Sequence, residues 1–339
     1  MKACIVTRNE LTQLLDRLIS HVDVYAPVRE KGTANWAKIS SVDEVYLEAV
    51  NSREPAKGFI FPRCELLMRF DKNGNPIVPA PIQEQILFGI RPCDARALKV
   101  LERFFVQDGK SDPYVQRRVE KTTLIGMACN RTAPTCFCFA LGNSPHDTEG
   151  LDLLLTEVEG VFLAEAVTEK GEKLLADLSP ADETVLRKRA ALKSKVESEI
   201  NERFDVKKLQ GKLPQLFKHE VWEVLSLSCV NCGACTFLCP TCHCFDVTDE
   251  TMRGKSARYR VWDSCQFTLY SRHASGHNPR FDSSSRYRNR MMDKFYYTTE
   301  QVGLISCVGC GRCISACPAG IDIRQTVAKL LRIIDGMGK

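Results

Sequence analysis

Two stretches of twelve residues carry the same arrangement of four cysteines, and each stretch ends in Cys-Pro. They are CVNCGACTFLCP at 229–240, the first motif, and CVGCGRCISACP at 307–318, the second motif. Three cysteines on so short a loop can bind three irons of one cubane cluster, and Gly233 and Gly311 let the backbone curl around it. In bacterial ferredoxins the fourth cysteine of such a run binds the other cluster. The repeat therefore predicts two [4Fe-4S] clusters.

This exchange of the fourth cysteine predicts the ligands of each cluster. Cluster one is expected to be bound by Cys229, Cys232, Cys235 and Cys317. Cluster two is expected to be bound by Cys307, Cys310, Cys313 and Cys239. The alternative is a pair of structural zinc sites, because CxxC pairs often bind zinc. A tetrahedral zinc site gives no reason for the third cysteine step or for the Cys-Pro ending, so the pattern favours clusters.

Four cysteines of the first half could form a further site: Cys93, Cys129, Cys136 and Cys138. Cys93 and Cys129 each follow an apolar run typical of a strand, and parallel strands bring their carboxyl ends to the edge where α/β sheets bind ligands. One interpretation is a third iron-sulfur cluster, with Asp94 or Cys64 as a substitute ligand. The other is that Cys93 and Cys129 are packing residues and the CxC pair lies in a loop, because free cysteine is often buried.

The segment between the two motifs holds three more cysteines, namely Cys242, Cys244 and Cys265. They could form another metal site with His243, or with His273 and His277. They could instead be structural residues packed around the clusters, and their thiols would then tune cluster potentials through hydrogen bonds.

Arginines interleaved with tyrosines make the same segment basic. The set comprises Arg253, Arg258, Arg260, Arg272, Arg280, Arg286, Arg288 and Arg290, with Tyr259 and Tyr287. Such a pattern can bind nucleic acid. Beside anionic clusters, the same arginines would stabilise the reduced state or dock an acidic partner. A solvated charged face is the third interpretation.

The elements that position these cysteines indicate an α+β protein. Leu11, Leu14, Leu15 and Leu18 have helical spacing, and QILFGI, TTLIGMAC, LDLLLTE and VFLAEAV resemble strands. We therefore expect an α/β domain at 1–178, in which Asp94 caps the helix that follows QILFGI. A linker helix is expected at 179–212, capped by Ser179 with Pro180 in its first turn. A mainly helical, ferredoxin-like dicluster domain is expected at 213–339.

Composition limits the class of protein. The chain has 339 residues, 17 cysteines and a net charge of only +5. Its start does not resemble a signal peptide and no apolar run is long enough to span a bilayer, which predicts a cytoplasmic protein whose cysteines bind metal rather than form disulfides. There is no GxGxxG, no GxxxxGK[ST] and no recognisable catalytic nucleophile, so we expect an electron carrier without catalytic residues of its own.

Longer motifs resemble a known family. CVNCGACTFLCPTCHCFDV, WDSC and CVGCGRCISACPAGIDI, together with FGIRPCDARAL in the first half, resemble the beta subunit of soluble sulfhydrogenases and the A subunit of anaerobic sulfite reductase. The resemblance covers most of the chain. It implies a dicluster electron-transfer subunit that works beside a flavin-bearing subunit and a catalytic subunit. A regulatory or nucleic-acid-binding scaffold that uses the same cysteines remains the alternative.

Overall fold

The computed structural model describes residues 2–252 and 255–337, so Arg253 of the predicted basic set lies outside the described residues. Eleven strands are present in these ranges: β1 (Ala3–Val6), β2 (Asp23–Glu30), β3 (Thr33–Lys38), β4 (Cys64–Phe70), β5 (Pro76–Ile77), β6 (Gln85–Ile90), β7 (Thr122–Met127), β8 (Leu153–Val158), β9 (Val161–Ala166), β10 (Phe245–Met252) and β11 (Lys255–Trp262).

Twelve α-helices accompany these strands in the described ranges: α1 (Arg8–His21), α2 (Pro92–Phe105), α3 (Pro113–Glu120), α4 (Glu169–Leu174), α5 (Glu183–Glu199), α6 (Val206–Lys212), α7 (Val221–Ser226), α8 (Ala234–Phe237), α9 (Ser283–Met292), α10 (Thr298–Val302), α11 (Arg312–Ser315) and α12 (Ile323–Gly336). A π-helical segment, Asp293–Tyr297, joins α9 to α10. Among the described residues, no helix combines the length and the apolar character needed to cross a bilayer.

The first half of the chain forms a seven-stranded sheet in the order β1-β9-β8-β7-β6-β2-β3. Strands β8, β7, β6 and β2 run parallel to one another, and the outer pairs β1-β9, β9-β8 and β2-β3 are antiparallel. The apolar run QILFGI forms β6 and is almost entirely buried, as expected for a central parallel strand covered on both faces. The predicted mixture of α and β elements is confirmed.

Helix α2 follows strand β6 of this sheet and contains Cys93 in its first turn. It begins at Pro92, directly after β6, and Arg91 occupies its N-cap position. The predicted capping role of Asp94 is therefore wrong. Asp94 lies in the first turn of α2, 1% exposed, and its carboxylate accepts hydrogen bonds from Arg312 of the second motif.

A second sheet joins the two halves of the chain. Its order is β10-β11-β4-β5, so the hairpin of the segment between the motifs pairs with a strand of the first half. Arg260 of β11 is 2% exposed and contacts the carboxylates of Glu65 and Asp112. The part of the chain predicted to be mainly helical thus also contributes two strands.

The predicted linker helix is shorter than expected. Helix α5 begins after Asp182, whose side chain accepts a hydrogen bond from the Val185 N–H, and not at Pro180. Pro180 instead bridges to Cys4 at the edge of the main sheet. The strand contact holds this proline outside the helix, and a second helix, α6, completes the 179–212 region.

Hydrophobic side chains pack in three main groups. One covers the α1 face of the main sheet and includes Cys4, as expected for a core cysteine. A second lies between the opposite face and α2, where it includes Trp262. The third surrounds the two motifs and includes Trp222, Phe295 and, from the first half, Phe137. The first half and the motifs therefore share a core.

Candidate iron-sulfur sites

The two motifs fold in the same way. Gly233 and Gly311 adopt φ values of 75° and 76° and precede the one-turn helices α8 and α11. The N–H of Cys239 donates to the Thr236 carbonyl at 3.3 Å, and the N–H of Cys317 makes the equivalent bond to Ile314 at 3.3 Å. Only glycine adopts such a left-handed conformation at little cost, which explains its place in both repeats.

The four cysteines predicted for cluster one line a single cavity. Its wall includes Cys229, Cys232, Cys235 and Cys317. The backbone N–H of Ile321 donates to the Cys317 sulfur at 3.3 Å, as N–H groups do to sulfur ligands of clusters. Cys313 lies on the same wall. The donor set and the space therefore fit the predicted cluster.

The cysteines predicted for cluster two come from both motifs, and Cys239 lies near the second one. The Cys239 sulfur lies 3.2 Å from the Thr241 hydroxyl, which in turn donates to the carbonyl of Ser306, next to Cys307. Cys307 and Cys310 are both buried. Burial raises the pKa of the Cys313 thiol to about 12, and the charges of Cys310 and Cys239 add to the shift. The structure thus places Cys239 of the first motif among the cysteines of the second.

The four cysteines of the first half converge on another cavity. It is lined by Cys93, Cys129, Cys136 and Cys138, with Cys310 on the side of the second motif. Cys93 lies in the first turn of α2 and Cys129 follows β7, so both stand at the predicted edge of the sheet. Burial raises the pKa of the Cys136 thiol to about 11.

Neither substitute ligand belongs to this cavity. Asp94 is engaged by Arg312, and Cys64 is an exposed residue of β4 in the second sheet. The cavity is therefore lined by the four first-half thiols named in the prediction and, in addition, by Cys310 of the second motif.

The second motif lies directly against the loop of Cys136 and Cys138. The Phe137 N–H donates to the Gly309 carbonyl at 2.8 Å, and the Asn51 side chain donates to the Cys310 carbonyl at 2.8 Å. A Cβ on Gly309, whose φ is 69°, would lie 2.5 Å from the backbone of Cys138. Only glycine permits this approach, so the sites on either side of it are neighbours.

A buried ion pair holds the second motif to α2. Arg312 donates two hydrogen bonds of 2.7 Å to Asp94, and the two side chains are 4% and 1% exposed. Arg312 also donates to Ser52. Burial alone would lower the pKa of Arg312, but the Asp94 carboxylate raises it above its usual value. This pair could not be predicted from the sequence, because its members lie far apart in the chain.

Three further buried cations lie among the thiols: Lys57, Arg290 and Lys294. Arg290 lines the first cavity, and its Nε has no hydrogen-bond partner within the described residues. Lys294 donates to Thr241 and Ser306, while Lys57 donates to the carbonyls of Thr236 and Cys242. The two lysines were not predicted, because an isolated lysine in a sequence carries no signal of burial.

The charges of these side chains and of the thiols act on each other. Burial would lower the pKa of Arg290, but the neighbouring Cys235 and Cys313 raise it well above its usual value. Conversely, a hydrogen bond from the Cys242 thiol and the charges of Lys294 and Arg290 hold the pKa of Cys239 well below its usual value. The buried cations near Cys239 therefore stabilise a negative charge on its sulfur.

The remaining cysteines do not form a further single-ion site. Cys242 and Cys265 are buried, and the His243 ring stacks on Phe104 with centroids 3.8 Å apart. His273 and His277 lie in a loop. Across residues 2–252 and 255–337, no group of three or more His, Cys, Asp or Glu side chains is placed to hold one metal ion. A cubane would separate its four sulfur ligands further than a single zinc ion does.

The predicted arginine and tyrosine set does not form one exposed surface. Arg260, Arg286, Arg290 and Tyr287 are buried, and the Tyr287 hydroxyl bonds to Thr326. Arg258 is paired with Asp249. The interleaved pattern in the sequence thus does not produce the stacking surface that single-stranded nucleic acid requires.

Comparisons with known proteins agree with this geometry. Residues 228–321 match the family model of the 4Fe-4S dicluster domain. The chain is 30% identical over 315 residues to the sulfhydrogenase 2 subunit beta of Pyrococcus furiosus, a match that covers 91% of this chain and 92% of that protein. The search of solved structures found no match. The chain therefore belongs to the sulfhydrogenase beta-subunit family and carries a 4Fe-4S dicluster domain.

Proposed function

We propose that this chain relays electrons between a flavin-bearing subunit and a catalytic subunit of an oxidoreductase complex of the hydrogenase, sulfur reductase or sulfite reductase type. Family membership and the dicluster domain support an iron-sulfur electron-transfer subunit. The observation that carries the proposal is the grouping of twelve cysteines into three adjoining sets. The chain itself contributes no catalytic residue in this proposal.

Two cluster sites follow from the repeated motif. Cys229, Cys232, Cys235 and Cys317 would hold cluster one, and Cys307, Cys310, Cys313 and Cys239 would hold cluster two. Bound there, [4Fe-4S] clusters would supply one-electron oxidation and reduction. The protein's own contribution is to fix the thiols, to exclude water from the second site and to offset negative charge with Arg290 and Lys294.

A third cluster is proposed at Cys93, Cys129, Cys136 and Cys138. The support is that all four thiols line one cavity whose far wall is Cys310. Cys313 lines the first cavity and Cys310 lines this one, so the second motif stands between the two. The three sites would form one continuous series.

The same proposal assigns roles to the regions of the chain. Residues 1–178 form the unit that holds the third site, 179–212 connect, and 213–339 form the dicluster unit. A reducing compartment such as the cytoplasm suits the protein, because none of the seventeen cysteines forms a disulfide.

Replacement of one ligand tests the proposal. Cys307→Ala should remove about four irons per chain and stop electron transfer between the two partner subunits in the assembled complex. Cys64→Ala is the matched control, because Cys64 is exposed and lies outside all three sites. Wild-type transfer rates in a Cys307→Ala complex that has lost its iron would overturn the proposed relay.

A further inference from the structure

The most exposed large hydrophobic side chains lie in or near the first motif. Among the described residues, the four highest exposures belong to Leu227 (83%), Phe281 (74%), Leu269 (70%) and Val230 (65%). We call these four residues the apolar collar. Single exposed hydrophobic side chains are common in monomeric proteins, but a large contiguous apolar patch usually marks a binding site.

Contacts of the first motif bring the collar residues to one place. Leu227 follows α7, just before Cys229, and Val230 belongs to the motif itself. The Ser283 hydroxyl donates to Asn231 at 3.2 Å, which places nearby Phe281 beside the loop. On the other side, the Phe267 ring lies against Gly233, where a Cβ would meet it at 2.7 Å, and Leu269 follows.

The collar lies near an exposed ligand position. Cys232 is the predicted cluster-one cysteine that is exposed to solvent, whereas Cys307 and Cys310 of the second set are buried. The first site is therefore the one closest to a molecule docked at this surface.

One side of the collar is positively charged. Residues 266–290 contain five arginines and a single acidic residue, Asp282. Arg286 and Arg290 are buried, but Arg272 is exposed and Arg280 and Arg288 are partly exposed. The Arg288 guanidinium lies 4.0 Å from the Phe217 ring centre, so a cationic and an apolar group lie side by side on this side of the collar.

We propose that the apolar collar is the docking surface for a partner subunit that carries its own redox group and presents an apolar patch edged by acidic side chains. The inference rests on the proposed electron relay and adds the place where one partner binds. An apolar centre with a charged rim is the usual anatomy of an interface, and the charges select the partner and speed the encounter.

A second copy of the chain fits this surface poorly. A two-fold symmetric contact places the same patch of both copies together, and this patch offers the arginines only one acidic residue, Asp282, as a partner. Like charges across an interface disfavour the contact. An acidic partner removes this repulsion.

Charge introduced into the collar provides the test. The double variant Leu269→Asp/Phe281→Asp changes no predicted ligand, and Val78→Asp is the matched control, because Val78 is 64% exposed in the first half. Each variant is purified in the complex and as the iron-loaded chain, and iron content, reduction by dithionite, binding of each partner subunit and electron transfer are measured.

The double variant should keep its iron and its reduction by dithionite but bind one partner subunit at least about tenfold more weakly, with a parallel loss of transfer. Val78→Asp should bind like the wild type. Unchanged binding and transfer in the double variant would overturn the docking surface alone. Loss of self-association or of single-stranded RNA binding, with partner binding intact, would assign the collar to that occupant instead. A wild-type chain without iron would overturn the relay itself.

Discussion

At the residue scale, the reduction potential of the proposed clusters depends on the buried cations that lie among the cysteine thiols. Arg290 is 5% exposed, lines the first cavity and has an Nε without a partner in the described part of the chain. A buried cation beside a cluster favours the more negative, reduced state and so raises the reduction potential. Arg290 stands near Cys235 of the first set and Cys313 of the second, so it would act on both sites.

We expect Arg290→Gln to lower the reduction potential of the first two clusters by tens of millivolts, where about 59 mV is a tenfold change for one electron. Arg290→Lys should keep most of the potential because it keeps the charge. Arg288→Gln, two residues away on the same helix and partly exposed, is the control. A redox titration followed by EPR measures the shift, and equal potentials in Arg290→Gln and Arg288→Gln would refute this role.

The grouping of residues that are rare and regularly spaced could be predicted from the sequence. The cysteine positions of both motifs indicated their grouping because the ligand spacing is fixed by the cluster. Lys57 and Lys294 could not be found in this way, since their partners are carbonyls and hydroxyls contributed by distant segments. Asp94 was misread as a cap because its true partner, Arg312, lies more than two hundred residues later.

At the scale of elements, the second motif is held against the sheet domain by few but well-buried contacts. Helix α11 is tied to α2 by the Arg312–Asp94 pair, and its loop packs on the Cys136–Cys138 loop through Gly309. These contacts hold the cavity of the proposed third site against the second motif. Breaking a buried pair leaves one charge without compensation, which is costlier than losing the pair as a whole.

Arg312→Leu should therefore destabilise the iron-loaded chain by about 3–5 kcal/mol and loosen the third site. The double variant Arg312→Leu/Asp94→Leu should recover part of that loss. Arg258→Leu is the control, because Arg258 makes the same two 2.7 Å bonds to Asp249 on an exposed hairpin. Anaerobic urea unfolding gives the comparison, and a change as small for Arg312→Leu as for Arg258→Leu would contradict the structural role.

Local sequence patterns predicted helices and strands well, and long-range contacts changed where some of them begin and how they pair. The apolar runs that form β6 to β9 were recognisable because central strands are buried on both faces. The pairing of β11 with β4 was not, since it joins segments nearly two hundred residues apart. The bridge from Pro180 to Cys4 likewise shortened the predicted linker helix at its start.

At the scale of the whole molecule, the arrangement of sites follows from the way the two halves interlock. A shared sheet, a shared core and the Arg312–Asp94 pair place the first-half cysteines beside the second motif. The first cavity lies beside the exposed collar, and the cavity of the proposed third site lies against the main sheet. The grouping of the twelve cysteines was predicted from the sequence and stays a prediction, whereas their order in space depends on contacts that no local pattern records.

Iron and acid-labile sulfide per chain, measured on anaerobically purified protein, test this account most directly. Three cubane clusters predict about twelve of each in the wild type and about eight in Cys136→Ala/Cys138→Ala. About eight in the wild type would contradict the third cluster and leave the first-half cysteines as packing residues. Little iron, with zinc in its place, would contradict the cluster assignment of both motifs.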